Sequence, residues 1–375
     1  MSTSCNPSSS AIESPVPIWD LLDADNDGLR GQLLQDNRKP RFHDSCSQPI
    51  NGLPVEILGE IFGICLLDMF PIHMRTCNRS ISPSPNADPQ LLSQVCRYWR
   101  DIALAMPALW STICIADPKQ QHVQKVALWL ERSQAYGLSL KFMQRWCPDH
   151  AVTDRILSLF TTQVHRWRDV EFIFSSVAHQ PVLNISEGAA LALESATISS
   201  NLWDYTSVNR LWQVLRSSPA LRRINWTWSC SQAPEPLLLQ VSRLTHVTLC
   251  WVFSIDILID ILRSCEQVEE LHLHSLWPDY STGGSNPPLV LPNLRVLSIT
   301  DIPDPGLLFC RLTLPSLTFL EFNSPIYVEH PTSFLGILER SCGSLERINI
   351  SSPFPDNLRN LAPLLLEPLT DLELS

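Results

Sequence analysis

Glycine is scarce, with 12 in 375 residues, and the sequence holds no glycine-rich phosphate loop, no Ser/His/Asp order and no HExxH motif. The usual constructions for nucleotide binding, acyl transfer and zinc-dependent hydrolysis are therefore missing. Positive charge is also short. Twenty-seven Lys and Arg face 38 Asp and Glu, a net charge of -11, whereas a protein that tracks phosphates normally carries a basic face. No apolar run approaches the roughly 20 residues of a spanning helix, and Met1 is followed by Ser, Asn and Pro rather than an apolar signal core. The twelve cysteines show no CxxC pair, and Cys65, Cys96 and Cys250 lie inside apolar runs. They read as reduced, mostly buried thiols, so the Asn-x-Ser/Thr sequons carry no weight. These absences point to a cytoplasmic or nuclear chain without nucleic acid, membrane or cofactor.

What is present is apolar content: 45% hydrophobic against 17% charged, enough for a large core. Residues 1–49 read as a mostly disordered segment, Ser/Pro-rich at first, with a possible short helix around Ile18–Leu22 and Leu29–Leu34. Within it, Asp23-Ala-Asp25-Asn-Asp27-Gly28 matches the opening of an EF-hand loop. The twelfth place, where calcium needs a bidentate Glu, is Leu34. A capping turn is the better account.

From Leu53 the texture changes. Leu53-Pro54-Val55-Glu56-Ile57 sets Pro at a first helical position, and apolar residues at 57, 58, 61, 62 and 65 form one stripe. Residues from about 68 to 89 hold four prolines and cannot continue that helix. A second apolar stripe then runs through Leu92, Val95, Cys96, Trp99, Ile102 and Ala103, and closes with Pro107-Ala-Leu109-Trp110.

Leu-Pro-x-Glu-Ile, Ile-Phe, Val-Cys-Arg-x-Trp-Arg-x-Ile-Ala and Pro-x-Leu-Trp together resemble the F-box, in wording similar to the F-box proteins of mushroom-forming fungi. The resemblance covers about 60 of the 375 residues, and the stretch at 68–89 departs from the compact motif as a long insertion. It implies a helical module over 50–112 that docks a Skp-type adaptor and, through it, a cullin. Leu53, Pro54, Glu56, Ile57, Ile61, Phe62, Leu92, Val95, Cys96 and Trp99 would form the adaptor contact.

Over 113–375 the chain is repetitive. A phrase with apolar residues at its first, fourth and sixth places begins at Trp167, Leu193, Leu221, Leu244, Val268, Leu294, Leu317, Leu345 and Leu369, in steps of 23 to 28 residues. That step is the range of leucine-rich repeats, each a strand plus a helix or loop. Helix-like segments such as Ile255–Leu262 and Phe334–Arg340 alternate with short proline-bearing ones such as 301–306, so the side opposite the strands should be irregular. A ladder Asn or Cys is absent from most phrases. The fold class expected is mixed, α+β or α/β: a small helical module followed by a loose leucine-rich-repeat-like solenoid with a parallel strand on its concave side.

Side chains alternate across a strand, so places four and six face the core and places three, five and seven face outward. Place five reads Asn225, Thr248, His272, Ser298, Glu321 and Asn349; place seven reads Thr227, Cys250, His274, Thr300, Asn323 and Ser351. These polar columns mark the side where a protein target would lie, with Asn225, Thr248, His272, His274, Ser298, Glu321, Asn323 and Asn349 as candidate contacts. Cys250, His272 and His274 would come close together, yet a zinc site wants three or four ligands with a formed surround, and a polar face is the simpler account. The expected function is non-catalytic: a substrate receptor of a cullin-RING ubiquitin ligase. The alternative is a repeat scaffold without a ligase, whose N-terminal helices cap the strands. An enzyme is a third reading.

Overall fold

The computed structural model describes residues 49–67, 89–144, 149–175, 177–200, 202–227, 242–250, 255–275, 288–301, 306–323, 336–337, 339–341, 345–351 and 371–374. The EF-hand-like stretch and the insertion at 68–88 lie outside them. The chain divides after Leu53 into two units. Of the first, the described part is a 3-10 turn, Pro49–Gly52, closed by the Leu53 N–H donating to the Ile50 carbonyl at 3.3 Å.

The second unit opens with helix α1 (Val55–Leu67), whose first backbone bond runs from the Leu58 N–H to the Pro54 carbonyl. The second apolar stripe is two helices rather than one, α2 (Pro89–Val95) and α3 (Arg97–Ala105). The break is at Cys96, which is fully extended, with φ -156° and ψ 171°, and whose Sγ accepts the Trp99 N–H at 3.4 Å. Cysteine thus performs the capping that Ser or Asp usually performs. Arg100 Nε bridges back to the Ser93 carbonyl at 2.8 Å and holds the two helices in a fixed turn. Phe62 packs on Trp99 with ring centroids 4.8 Å apart.

The remainder is a mixed α/β structure built on one parallel sheet. Its strands are β1 (Thr112–Ala116), β2 (Leu138–Met143), β3 (Trp167–Phe174), β4 (Ser195–Ser200), β5 (Arg223–Thr227), β6 (His246–Cys250), β7 (Glu270–His274), β9 (Val296–Thr300), β11 (Phe319–Asn323), β12 (Arg347–Ser351) and β13 (Asp371–Leu374). They lie in sequence order, each hydrogen-bonded to the ones before and after it. A side ladder pairs β8 (Leu289–Val290) with β10 (Leu312–Thr313). The crossovers a parallel sheet requires include α4 (Gln120–Arg132), α5 (His150–Thr161), α6 (Gln180–Leu183), α7 (Tyr205–Arg216), α8 (Ile255–Arg263) and α9 (Gly306–Cys310).

All nine repeated phrases are strands, and eight of them start at place three. The register aligns place on place. Val247, Leu271, Leu297 and Leu320 stand in one row, and Thr248, His272, Ser298, Glu321 and Asn349 in the next. Rows four and six are closed from solvent: Leu271, Leu273, Leu297, Ile299, Leu320 and Phe322 have no exposed surface. Place one is equally buried, at Leu193, Leu221, Leu244, Leu294 and Leu317. Toward the first strands the core becomes aromatic, with Phe142 edge-on to Phe160 and Phe172, and Phe174 against Trp203 at 4.8 Å.

A buried arginine ties one crossover down. Arg166 donates to Ser133 Oγ (2.7 Å), the Tyr136 carbonyl (3.0 Å) and Gln163 Oε1 (3.1 Å). Strand ends repeat a device of their own. Asp117, Ser275 and Asp301 take positive φ of 49°, 56° and 57° directly after β1, β7 and β9. Each donates its N–H to the last carbonyl of the next main-sheet strand, at 2.9–3.0 Å.

Candidate functional site

Two surfaces emerge, one on the helices and one on the sheet. On α1, the stripe expected from periodicity separates into two faces. Leu58 and Phe62 are fully buried, Ile61 is half-buried, and Pro54, Glu56, Ile57 and Cys65 face solvent. On α2 and α3, Leu92, Cys96 and Trp99 are half-buried and Val95 is 60% exposed. Leu53, in the first unit, is half-buried. Phe62 and Cys96 therefore shape the module, through the ring stack on Trp99 and the helix cap, while Ile57 and Val95 present apolar surface. Further exposed apolar side chains that periodicity did not single out are Ile64, Leu91, Tyr98 and Leu104. They sit between the apolar residues counted for the core, where spacing alone carries no signal.

The helices are joined to the sheet through Pro107–Trp110. Trp110 is fully buried, donates Nε1–H to the Ala103 carbonyl at 2.8 Å, meets Trp129 of α4 edge-on at 6.1 Å, and is covered by the Arg132 guanidinium at 4.4 Å.

No protein-family model matches this chain, and no curated protein matches it significantly. The functional reading rests on its own residues.

On the sheet, the outward places carry the polar columns. Asn225, Thr248, His272, His274, Glu321 and Asn349 are half-buried, Ser298 is buried, and Asn323 is exposed. Their connections differ along the sheet. At the first strands, opposite charges pair across neighbours: Lys141 Nζ meets Glu171 at 3.1 Å and Arg223 meets Asp169 at 3.6 Å. Lys141, Asp169 and Glu171 were not among the candidate residues, although the alternation of Leu138-Ser-Leu140-Lys-Phe142 signals β2. Further along, Glu321 accepts hydrogen bonds from Ser298 Oγ at 2.6 Å and Asn349 Nδ2 at 3.3 Å. Glu270 stands between His246 Nε2 (3.4 Å) and His272 Nε2 (3.8 Å), and His274 Nδ1 bonds to Thr300 Oγ1. Burial pushes the pKa of His274 down and the neighbouring His272 adds to this, while Asp301 and Glu321 oppose it. His274 is therefore neutral at pH 7.

Cys250 and His274 occupy facing register positions, but among the described residues no group of three His, Cys, Asp or Glu side chains is placed to hold a metal ion. A separate buried cluster lies under the sheet's first half. His179, 3% exposed, meets Asp154 Oδ1 through Nδ1 at 2.7 Å and Gln144 through Nε2 at 3.3 Å. Burial lowers its pKa despite Asp154. The geometry fits a neutral ring with Nδ1–H donating to Asp154 and Nε2 accepting from Gln144. Among the described residues no helix is long and apolar enough to cross a membrane.

Proposed function

We propose that this chain is the substrate-recognition subunit of a cullin-RING ubiquitin ligase, with a helical F-box module over residues 50–112 and a leucine-rich-repeat-like solenoid over 113–375. In this reading the helices hold a Skp-type adaptor, the outward sheet face holds a protein target, and ubiquitin transfer is performed by other subunits. The observation that supports it most is the division of labour in α1–α3. These helices bury Leu58, Phe62 and Ile102, yet leave Ile57, Ile64, Leu91, Val95 and Leu104 between 38% and 60% exposed. Exposed apolar side chains concentrated on a few short helices are what a partner-binding surface looks like.

The test is co-purification of the full chain with a Skp-type adaptor. Ile57→Asp combined with Val95→Asp should weaken capture at least tenfold and leave the circular dichroism spectrum unchanged. Undiminished capture would remove those helices as the docking surface.

The second reading is a repeat scaffold without a ligase, capped by its N-terminal helices. It draws on the Trp110–Trp129–Arg132 contact, which packs the end of the helical module against the crossover helix α4. The two separate cleanly, since a cap has no affinity for an adaptor.

A further inference from the structure

We propose that the outward face of strands β6 to β11 binds an extended basic segment of a partner protein, seating Arg or Lys side chains against Glu321 and Glu270. The inference rests on the target-binding reading of this face and adds the chemistry of what it takes.

Charge balance is the first argument. On the earlier strands, carboxylates on this face are matched by cations, in the Lys141–Glu171 and Arg223–Asp169 pairs. From β6 through β11 the outward places are His246, Thr248 and Cys250, then Glu270, His272 and His274, then Val296, Ser298 and Thr300, then Phe319, Glu321 and Asn323. None is Lys or Arg. The connections after these strands, 251–254, 275–287, 301–305 and 324–335, contain Asp279, Asp301, Asp304 and Glu329 and again no Lys or Arg. No lysine follows Lys141 anywhere in the sequence. Two guanidiniums flank these strands on the face: Arg223 of β5, in register beside His246 and paired with Asp169, and Arg347 of β12, which lies over the Phe319 ring at 5.8 Å.

The second argument is the setting of Glu321. Its two oxygens are held by Ser298 and Asn349 from opposite neighbouring strands, so the carboxylate is fixed in place while no cation among the described residues lies within ion-pair distance. A carboxylate held between polar neighbours and only half-exposed binds an incoming guanidinium more strongly than a fully solvated one. Beside it on the same face, two residues back along β11, Phe319 lies half-buried next to Val296. The ring already carries the Arg347 guanidinium, so the incoming side chain meets the Glu321 carboxylate rather than Phe319.

The spacing then sets the ligand. Glu270 and Glu321 are two strands and two register places apart, which the strand separation and rise make about 12 Å. An extended chain advances about 3.3–3.6 Å per residue, so basic residues three or four positions apart reach both carboxylates. A folded partner's loop or tail satisfies this; a lone cation does not.

The experiment uses the full chain and a fluorescein-labelled, unstructured peptide of Gly and Ser with three arginines at four-residue spacing, read by fluorescence anisotropy. The expected result is saturable binding that weakens steeply with salt and falls about tenfold or more in each of Glu321→Gln and Glu270→Gln. Glu171→Gln, in the already paired region, should leave it unchanged. Equal loss in all three variants would reduce the effect to net charge and overturn the site. Competition by free arginine amide at concentrations equal to the peptide would assign the face to small cations and overturn the peptide reading. Melting curves of the variants report folding; at 321 Gln keeps the shape and one of the two acceptor oxygens, which Asn349 can use while the Ser298 hydroxyl turns to accept from the new amide. Adaptor capture measured on the same samples separates the two ideas. Retained adaptor binding with no peptide binding defeats this inference alone, and loss of both defeats the receptor reading as well.

Discussion

Replacing Leu271 with Ala tests the architecture most directly. Leu271 has no exposed surface and stands in register between Val247 and Leu297, each equally closed. The change deletes three carbons, about 2.4 kcal/mol at roughly 0.8 kcal/mol per buried CH2. The neighbours are fixed in their own strands and cannot slide in, so a cavity term is added and the total should fall at about 2–5 kcal/mol. His272 is one residue along and points the other way. Its side chain is 34% exposed, and its nearest charged partner, Glu270, is 3.8 Å away and itself 40% exposed. Such a pair contributes about 0–1 kcal/mol, so His272→Ala should stay within about 0.5 kcal/mol of wild type. Urea unfolding followed by far-ultraviolet circular dichroism and by tryptophan fluorescence measures both. Comparable destabilisation by the two variants would refute the assignment of inward and outward faces, and with it the basic-segment surface.

Stability should decline as the pH falls below 6.5. His179, His122 and His274 all have pKa values pushed below that ordinary value, chiefly by burial, so the unfolded chain binds their protons first and the neutral rings stabilise the fold only above the window. In His179→Gln the slope of stability against pH should flatten by up to about 1.4 kcal/mol per pH unit; an unaltered slope would mean that His179 is already charged against Asp154. Arg166→Met should cost about 2–3 kcal/mol by stranding Ser133, Tyr136 and Gln163, since hydrogen bonds to charged groups are among the stronger ones; a neutral result in a thermal melt would show that the turn holds itself. Cysteine mapping with iodoacetamide at pH 8 should label exposed Cys65 while sparing Cys265, which is fully buried and whose pKa burial raises to about 11; early labelling of Cys265 would place its crossover among the first to open.

The strands were legible because their signal is redundant. Each phrase offers three apolar places and an alternating polar set, and successive phrases agree on what is inside, so Leu271 and His272 could be told apart from spacing alone. The first two strands were missed for different reasons: Thr112–Ala116 does follow an apolar first place, but that residue, Trp110, reads as the close of the helical module, whereas Leu138–Met143 has Gly137 where the other phrases carry a large apolar residue, even though Ile113, Ile115, Leu140 and Phe142 alternate in the same way. The helices were less legible for a different reason. Periodicity says which residues share a side, not whether that side finds a partner, and Ile57 and Leu58 differ by one helical step yet lie on opposite sides of the surface. The break at Cys96 was hidden because a cysteine within an apolar run suggests packing rather than capping. On the sheet face, chemistry was visible but wiring was not. The polar column containing Glu321 could be read in advance, whereas its hold by Ser298 and Asn349 depends on residues 23 and 28 positions away in the chain.

The sequential order of the main sheet has a kinetic consequence. Each phrase after the first finds its partner 23 to 28 residues behind it, so the entropy of closing each loop, which grows only with the logarithm of its length, is nearly the same at every step. No strand must wait for a distant part of the chain. A polypeptide emerging from the ribosome can lay each strand against the previous one as soon as its crossover has cleared, so beside the fixed edge at β1 only the newest strand is unpaired during synthesis. That regime of short-range closures favours fast folding for a parallel sheet, a topology that ordinarily forms slowly.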